Sequence, residues 1–582
     1  MDIRALEAVA QSVRSLTIDA IQKANSGHPG LPMGAAELGA YLYGVAMRYD
    51  PADPAWIDRD RFVLSAGHGS MFLYSLLHMA GFDLSLDDIK AFRQVGSKCP
   101  GHPEYGVTPG VETTTGPLGQ GLANAVGMAI AERMLAAHFN RPQHAIIDHY
   151  TYVLAGDGCL MEGVAAEAAS LAGHLGLGKL IVYYDSNRIT IDGSTDIAFS
   201  EDVGRRFEAY GWQVFRGSMY NFQELAALTK QAQAETARPT LIILDSIIGK
   251  GAPTKQGTHG VHGAPLGEEE ARRAKEALGI PLDTPFWVSP EAYEFFARRR
   301  RELQSARQAW NDRYAAWRLA EPSLTEEFDR WLEGRPAAEL DLPSFKPSEK
   351  IATRNASGKC LAAVAAAWPN LVGGSADLTS PNVTQLPAAD GKPVVFSRDT
   401  PSGRYIHFGV REHGMAAIAN GMALHGGLRT FVATFLVFAD YLRPALRLSA
   451  LMRLPVIYVL THDSIYIGED GPTHQPVETL ASLRAIPNVS VLRPADAEET
   501  AVAWRLAMER KGGPTVLVLT RQNLPVLEKA DPDWPYTMAL GAYVVDNPTR
   551  PPEVTLVATG SEVSLALEAK ARILEVHPNL AV

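Results

Sequence analysis

Gly156-Asp157-Gly158 and Asn187 are the residues whose types and spacing point most directly to chemistry. A short apolar run, Tyr152–Ala155, leads into the first, and a second, Leu180–Tyr184, ends just before Asn187. Between them Glu162–His174 is alanine-rich and predicts a helix. Strand, helix and strand in that order predict a right-handed crossover between parallel strands, which sets Asp157 and Asn187 side by side at the strands' carboxyl ends. One carboxylate and one amide oxygen there form a small oxygen-lined cage. Such a cage suits Mg²⁺, which takes few protein oxygens and completes its octahedron with phosphate oxygens. Gly156 and Gly158 let the backbone come close to a diphosphate. On its own the triplet would be a tight turn with a capping asparagine; the strand, helix and strand around it favour the metal-diphosphate reading.

Six histidines form a second set. His28, His68, His102, His262, His462 and His474 each lie in a segment punctuated by glycine or proline. Loops of this kind present side chains at the ends of strands. Imidazoles donate to hydroxyls and phosphates and carry protons near neutral pH, so the set suits a polyhydroxylated, phosphorylated small molecule. Zinc is the rival reading, but neither a His-x₃-His helix nor a cysteine pair accompanies them. Arg354 and Arg521 are candidate forks for phosphate. Glu412 stands where Phe408–His413, read as a strand end, runs into the apolar helix Met415–Leu424. It is either a capping glutamate or a desolvated carboxyl that shares a proton with a heterocyclic ligand. Phe435, Phe438 and Tyr441 recur at i, i+3 and i+6, which predicts one helical face, either a core stripe or the floor of a pocket for an aromatic ring.

The elements that must position these residues follow from length and pattern. At 582 residues the chain is too long for one core. It is 46% hydrophobic and 20% charged, and its formal net charge of -11 argues against non-specific nucleic-acid binding and against anionic membranes. Cys99, Cys159 and Cys360 are too few and too scattered for a disulfide frame and point to a reducing compartment. The N-terminus has no apolar signal core, and the uncharged stretch Cys360–Ala376 is broken by Pro369, so the chain reads as soluble and cytoplasmic. The predicted class is α/β, with two doubly wound, mainly parallel sheets and an incomplete third α/β domain. Residues 1–334 are the first domain. They alternate helix and strand to about residue 280 and then turn helix-rich from Pro290, with Arg298–Arg301 as a solvated helix face. Residues 335–350, with Pro336, Pro343 and Pro347, are a linker. Residues 351–525 are the second domain, with strands at 371–372, 430–432, 456–460, 489–491 and 516–519. After a linker around Pro525–Pro535, residues 541–582 supply a strand at Val554–Ala558 and a helix at Glu562–Glu575. That segment is too small to be stable alone, so it packs on the rest or belongs to a longer sequence.

Segments 114–121, 156–163, 189–193, 373–378, 409–413 and 468–476 together resemble transketolases, enzymes of thiamine diphosphate, in the family's order and over nearly the whole chain. The resemblance implies that Asp157, Asn187 and the Ile189 carbonyl hold Mg²⁺, with Ca²⁺ or Mn²⁺ as substitutes. His68, His262, Gly156 and Gly158 serve the diphosphate, and Gly116 and Leu118 the cofactor rings. Ile191 sits under the bent cofactor, and Glu162 and Asp377 join the cofactor set. Phe435, Phe438 and Tyr441 pack on the pyrimidine, while Glu412 bonds one of its ring nitrogens. The implied reaction moves a two-carbon ketol unit, through a carbanion of the cofactor, from a ketose phosphate such as xylulose 5-phosphate to an aldose phosphate such as ribose 5-phosphate or erythrose 4-phosphate. It belongs to the pentose phosphate pathway or the Calvin cycle. His28, His102, His262 and His474 serve donor hydroxyls and proton transfers, Asp470 a hydroxyl, and Arg354, His462 and Arg521 the phosphate. A homodimer with sites between subunits is implied as well. Two features depart from the family. Thr379-Ser380-Pro381-Asn382 has proline where the family has its phosphate-binding serine, and whether Ser380 substitutes for it is left open by the sequence. The family's third domain is also longer than residues 541–582, which implies an incomplete sequence. The rivals are dihydroxyacetone synthase, deoxyxylulose-phosphate synthase and a non-catalytic cofactor-binding relative.

Overall fold

The computed structural model describes residues 1–347, 349–388, 394–548 and 550–582. Ser348 of the expected linker and Thr549 of the last segment lie outside the described residues. The chain divides into two compact units, one of Met1–Glu326 with Leu424–Gly426, the other of Glu327–Ala423 with Gly427–Val582.

The first unit is built on a parallel sheet of β1 (Arg61–Leu64), β2 (Thr151–Gly156), β3 (Leu180–Ser186), β4 (Gln213–Ser218) and β5 (Thr240–Asp245), in the order β1-β2-β3-β5-β4. β1, β2 and β3 are buried almost throughout, because helices cover both faces of a parallel sheet. That is why their sequences are continuous apolar runs rather than alternations. β2 and β3 pair in parallel with Gly156 opposite Asp185, so the two strands end level. The helix expected over Glu162–His174 is two pieces. Asp157–Met161 forms one turn, Glu162 is extended, and Gly163–Leu175 continues. Asp157 is therefore the first residue of a helical turn rather than a member of an open loop.

Helix Pro290–Ala320 closes the unit. Its tryptophans Trp310 and Trp317 are buried and donate to the carbonyls of Ile146 and Phe139. The arginine run on it is not simply a solvated face. Arg299 donates to the carbonyls of Val45 and Met47, Arg300 to those of Met79 and Ala80, and Arg298 pairs with Asp2. The carbonyls that end neighbouring helices need donors, and these guanidiniums supply them.

The second unit carries a parallel sheet of β7 (Leu371–Ser375), β8 (Arg429–Phe435), β9 (Ile457–Thr461), β10 (Ser490–Leu492) and β11 (Thr515–Leu519), in the order β10-β11-β9-β8-β7. A separate antiparallel pair joins β6 (Lys350–Ala352) to β12 (Asn523–Pro525), so the two ends of this domain meet. The core between sheet and helices includes Leu361, Val364, Phe431, Val459, Trp504 and Leu517.

Three local expectations are corrected here. The stretch before Glu412 is not a strand. Among the described residues, isolated bridges join Tyr405 to Gly373 and to Val395, and Gly409, at φ 67, turns the chain into the helix Glu412–His425. Phe435, Phe438 and Tyr441 do not share a helix. They are respectively the end of β8, a 3₁₀ turn (Leu436–Phe438) and the helix Ala439–Leu451. Val554–Ala558 forms no strand. Among the described residues its backbone bonds Ala581 through Val554, as the preceding Glu553 does, and Val557 is 92% exposed. A strand needs a partner ladder, which apolar sequence alone does not provide.

The helix Glu562–Val576 does form, and the segment packs on its unit through Arg493, which binds Asp463, the Thr559 carbonyl, Ser561 and Glu562. All three cysteines are buried and unpaired. Among the described residues no helix is long and apolar enough to cross a membrane.

Candidate active site

In the first unit, the segments that leave the carboxyl ends of β1, β2 and β3 converge. His68 lies in the 3₁₀ turn Gly67–Gly69 that follows β1. Gly67 allows a close approach, since a Cβ there would stand 2.5 Å from the backbone nitrogen of Gly116. Gly116 itself has φ +137, a conformation L side chains rarely adopt, and its missing Cβ would lie 3.2 Å from the His102 ring. Leu118 packs over Gly158, and Glu162 lies against Gly119. His28 is the hub of the imidazoles, with ring centroids 5.4 Å from His68, 5.8 Å from His102 and 5.9 Å from His262, while His68 and His262 stack at 5.0 Å. Burial pushes His28 down to about 4, helped by Arg93 and the neighbouring rings, and His68 down to about 3. His102 and His262 are lowered by burial too. At neutral pH this cluster is uncharged and offers N–H donors.

Asp157 is buried at the end of β2. It accepts from the Tyr184 hydroxyl and from the backbone N–H of Arg188. Asn187 donates to Asp185 at 3.0 Å and accepts from Ile189 N–H at 2.9 Å, and Ile189 bridges to Ser194 across a tight turn. Ile191, beyond that turn, is 65% exposed although apolar. Burial raises the carboxyl of Asp157 and pushes Asp185 up to about 6. The hydrogen-bond partners of Asp157 are a phenol and an amide, and neither is a cation. A buried carboxylate held in this way is stabilised when a divalent ion arrives, so the donor set fits Mg²⁺. Among the described residues no three His, Cys, Asp or Glu side chains gather as a metal cluster, so amide, carbonyl and phosphate oxygens would complete the site.

In the second unit the registers set Phe435 and Leu519 on either side of Thr461. Phe435, His462 and Arg521 therefore emerge at one edge. Phe435 stacks near-parallel on Phe438 at 5.9 Å, and Phe438 meets Tyr441 at 6.1 Å. His462 tilts over Phe435 at 3.7 Å, and His474 meets Phe438 edge-on at 5.2 Å. Tyr441 is 63% exposed, so this group is not a closed core stripe.

Two guanidiniums approach the same corner. Arg354 is lowered by burial and by Arg521, and it donates to the Pro381 carbonyl at 2.8 Å. Arg521 donates to Ile467 O and to Glu469. Burial, Arg354 and Arg521 push His462 down to about 4, against the pull of Asp470. Like charges gathered around a neutral imidazole make a place for an anion. Ser380 is exposed in the turn Thr379–Asn382, one residue from the carbonyl that Arg354 holds, and Asp377 is exposed with φ 58. Glu412 opens its helix and is largely buried, and burial raises its carboxyl despite the helix N-terminus.

The sequence reading missed the residues that hold this machinery in place. Tyr184 and Ser246 bond the acids at 157 and 185, Arg93 bonds His28, and Arg493 bonds Asp463 beside His462. Tyr184 and Asp185, directly ahead of Asn187 at the end of a strand, were the one signal within reach; the other partners come from distant segments.

Two doubly wound parallel sheets, one presenting an oxygen and imidazole cradle and the other a group of aromatic rings and guanidiniums, with a buried carboxyl in the same unit, define a cofactor-dependent enzyme of the α/β class. Residues 5–336 match the thiamine diphosphate binding domain of transketolase, and residues 349–526 match the transketolase pyrimidine binding domain. The chain is 58% identical over 575 residues to a transketolase of Treponema pallidum, an alignment that covers 98% of this chain and 86% of that protein. A solved transketolase of Leishmania mexicana superposes with a TM-score of 0.94 at 48% identity, covering 98% of this chain and 84% of that one. A transketolase of Pichia stipitis in complex with sedoheptulose 7-phosphate gives 0.94 at 45%, covering 99% and 86%. The chain belongs to the transketolase family. It is a transferase with domains for thiamine diphosphate.

Proposed function

We propose that this protein moves a two-carbon ketol unit between phosphorylated sugars, from a ketose phosphate such as xylulose 5-phosphate to an aldose phosphate such as ribose 5-phosphate. The observation that carries the substrate class is the corner where Arg354, Arg521 and His462 gather in the second unit. The complex of the Pichia stipitis relative with sedoheptulose 7-phosphate supports it.

Thiamine diphosphate, when bound, supplies an electron sink for breaking the carbon–carbon bond beside the ketose carbonyl. The chain's own residues bind, orient and move protons. Asp157, Asn187 and the Ile189 carbonyl would hold Mg²⁺, with Gly156, Gly158 and Glu162 beside them, and the ion would supply positive charge for the diphosphate. The neutral His68 and His262 donate to phosphate oxygens. Ile191, Gly116 and Leu118 would hold the cofactor's rings. Phe435, Phe438 and Tyr441 exclude water from the pyrimidine, with Asp377 at the edge of that pocket. Glu412, its carboxyl raised by burial, would hydrogen-bond a ring nitrogen of the cofactor. His28, His102 and His474 donate to substrate hydroxyls, and Asp470 accepts from one. Arg354, Arg521, His462 and Ser380 take the phosphate.

The active form in this reading is a homodimer, each site combining the first unit of one copy with the second unit of the other. Val410, Tyr441, Ile465, Tyr466 and Val477 are exposed apolar side chains on the segments that carry the second unit's site, and such residues call for a cover. The protein works in the cytoplasm, in the pentose phosphate pathway or the Calvin cycle.

The test is a coupled assay with xylulose 5-phosphate and ribose 5-phosphate, thiamine diphosphate and Mg²⁺. Formation of a seven-carbon ketose phosphate is the expected result. No transfer to any aldose phosphate, with formaldehyde consumed instead, would overturn the assignment.

A further inference from the structure

We propose that Arg93 is a positioning residue that fixes the tautomer of His28, and so decides which ring nitrogen meets the substrate. The role rests on the ketol-transfer reading above. Arg93 follows the short helix Leu86–Lys90 in a left-handed conformation at φ 61, anchored by its own N–H to the Cys99 carbonyl at 2.9 Å. Its guanidinium donates through Nη1 to the Ser26 hydroxyl at 2.7 Å, and its Nη2 lies 3.1 Å from His28 Nδ1. Gly101 passes over the same group, since a Cβ there would stand 3.1 Å from Arg93 Nε. One cation thus ties together the loop that carries His28 and the loop that carries His102.

The chemistry of the pair leaves one choice. A guanidinium has donors only and keeps its charge at any pH the fold survives. His28 Nδ1 must therefore present its lone pair, and the ring proton sits on Nε2. The charged and titratable groups that face His28 are Arg93, His68, His102 and His262. Among the described residues no carboxylate joins them, so nothing gathered there favours a second proton on the ring. The Nε2 edge faces Gly263, where a Cβ would stand 3.1 Å from Cδ2 and 3.3 Å from Nε2. The absence of a side chain at 263 keeps that edge open. His28 is thus a donor toward a substrate hydroxyl in the resting enzyme, and any base step falls to another group.

The test uses the full chain with Mg²⁺ and thiamine diphosphate, labelled with ¹⁵N-histidine, in two-bond proton–nitrogen correlation spectra near neutral pH. The His28 signals are identified by their loss in His28→Gln. The expected wild-type pattern is the Nε2–H tautomer. In Arg93→Met it becomes a tautomer mixture, and the donor-sugar KM rises on the order of tenfold, the size of one lost charged hydrogen bond, with a smaller change in kcat. Arg93→Lys, which still donates, recovers most of that KM. An Nδ1–H or charged His28 in the wild type overturns the proposal, and so does an unaltered tautomer or KM in Arg93→Met. If Arg93→Met does not fold, the wild-type spectrum and Arg93→Lys decide. A wild type that transfers no ketol unit refutes the functional reading instead and leaves the tautomer readout intact.

Discussion

Arg493→Met should cost the protein about 3–5 kcal/mol, the usual penalty for stranding one member of a buried ion pair. Arg493 and Asp463 have side chains only 6% and 0% exposed, joined at 2.7 and 2.9 Å. The same guanidinium reaches the Thr559 carbonyl and Ser561, each at 3.1 Å, and Glu562. Removing it leaves a buried carboxylate with no cation and frees the start of the helix Glu562–Val576. Burial already holds the Asp463 carboxyl above its ordinary value even with Arg493 beside it. Without Arg493 the fold should bind that proton more tightly still. A folded-state pKa above the unfolded 3.8 means that stability falls as pH rises past that value, so the deficit of Arg493→Met should shrink on acidification. Arg493→Met combined with Asp463→Asn should recover part of the loss, because no charge is then stranded. A urea-denaturation double-mutant cycle, run at neutral and mildly acidic pH, measures both effects. Additive losses that do not vary with pH would refute the argument. Asp463 adjoins His462, so the single variant should also raise KM for phosphorylated acceptors.

The remaining predictions concern the site itself. Glu412→Gln should still bind thiamine diphosphate but lose on the order of a hundredfold or more in turnover, as acid–base groups do; near wild-type rates would remove Glu412 from its role. Asp157→Ala should lose Mg²⁺ and cofactor affinity together in calorimetric titrations, and unchanged metal affinity would place the metal elsewhere. His28 and His68 are held at about 4 and about 3, below the ordinary 6.5, so the unfolded chain binds more protons as pH falls from 6.5 toward 4. The thermal midpoint of the wild type should therefore fall through that window more steeply than that of His68→Gln, and equal slopes would contradict the burial argument.

Much of this architecture was legible in the residues themselves. Tyr152–Ala155 and Leu180–Tyr184 announced two buried parallel strands, because backbone needs of this kind are local. Val554–Ala558 misled because its apolar pattern says nothing about whether a neighbouring strand is available. Phe435, Phe438 and Tyr441 do meet, but through a strand, a turn and a helix, since i, i+3 spacing does not reveal where a helix begins. Arg93, Ser246 and Arg493 could not be read from sequence. Each acts on a residue far away in the chain, and only the fold brings the two together.

The central claim is that each catalytic site joins the metal cradle of one chain to the carboxyl of another. The most direct measurement is a complementation assay in which Asp157→Ala and Glu412→Gln chains, each nearly inactive alone, are co-expressed. In a mixed dimer one site carries both lesions and the other carries none, so statistical pairing restores about a quarter of wild-type ketol transfer. If each site were built within a single chain, every site in the mixture would keep a lesion, and the mixture would stay as inactive as its parents.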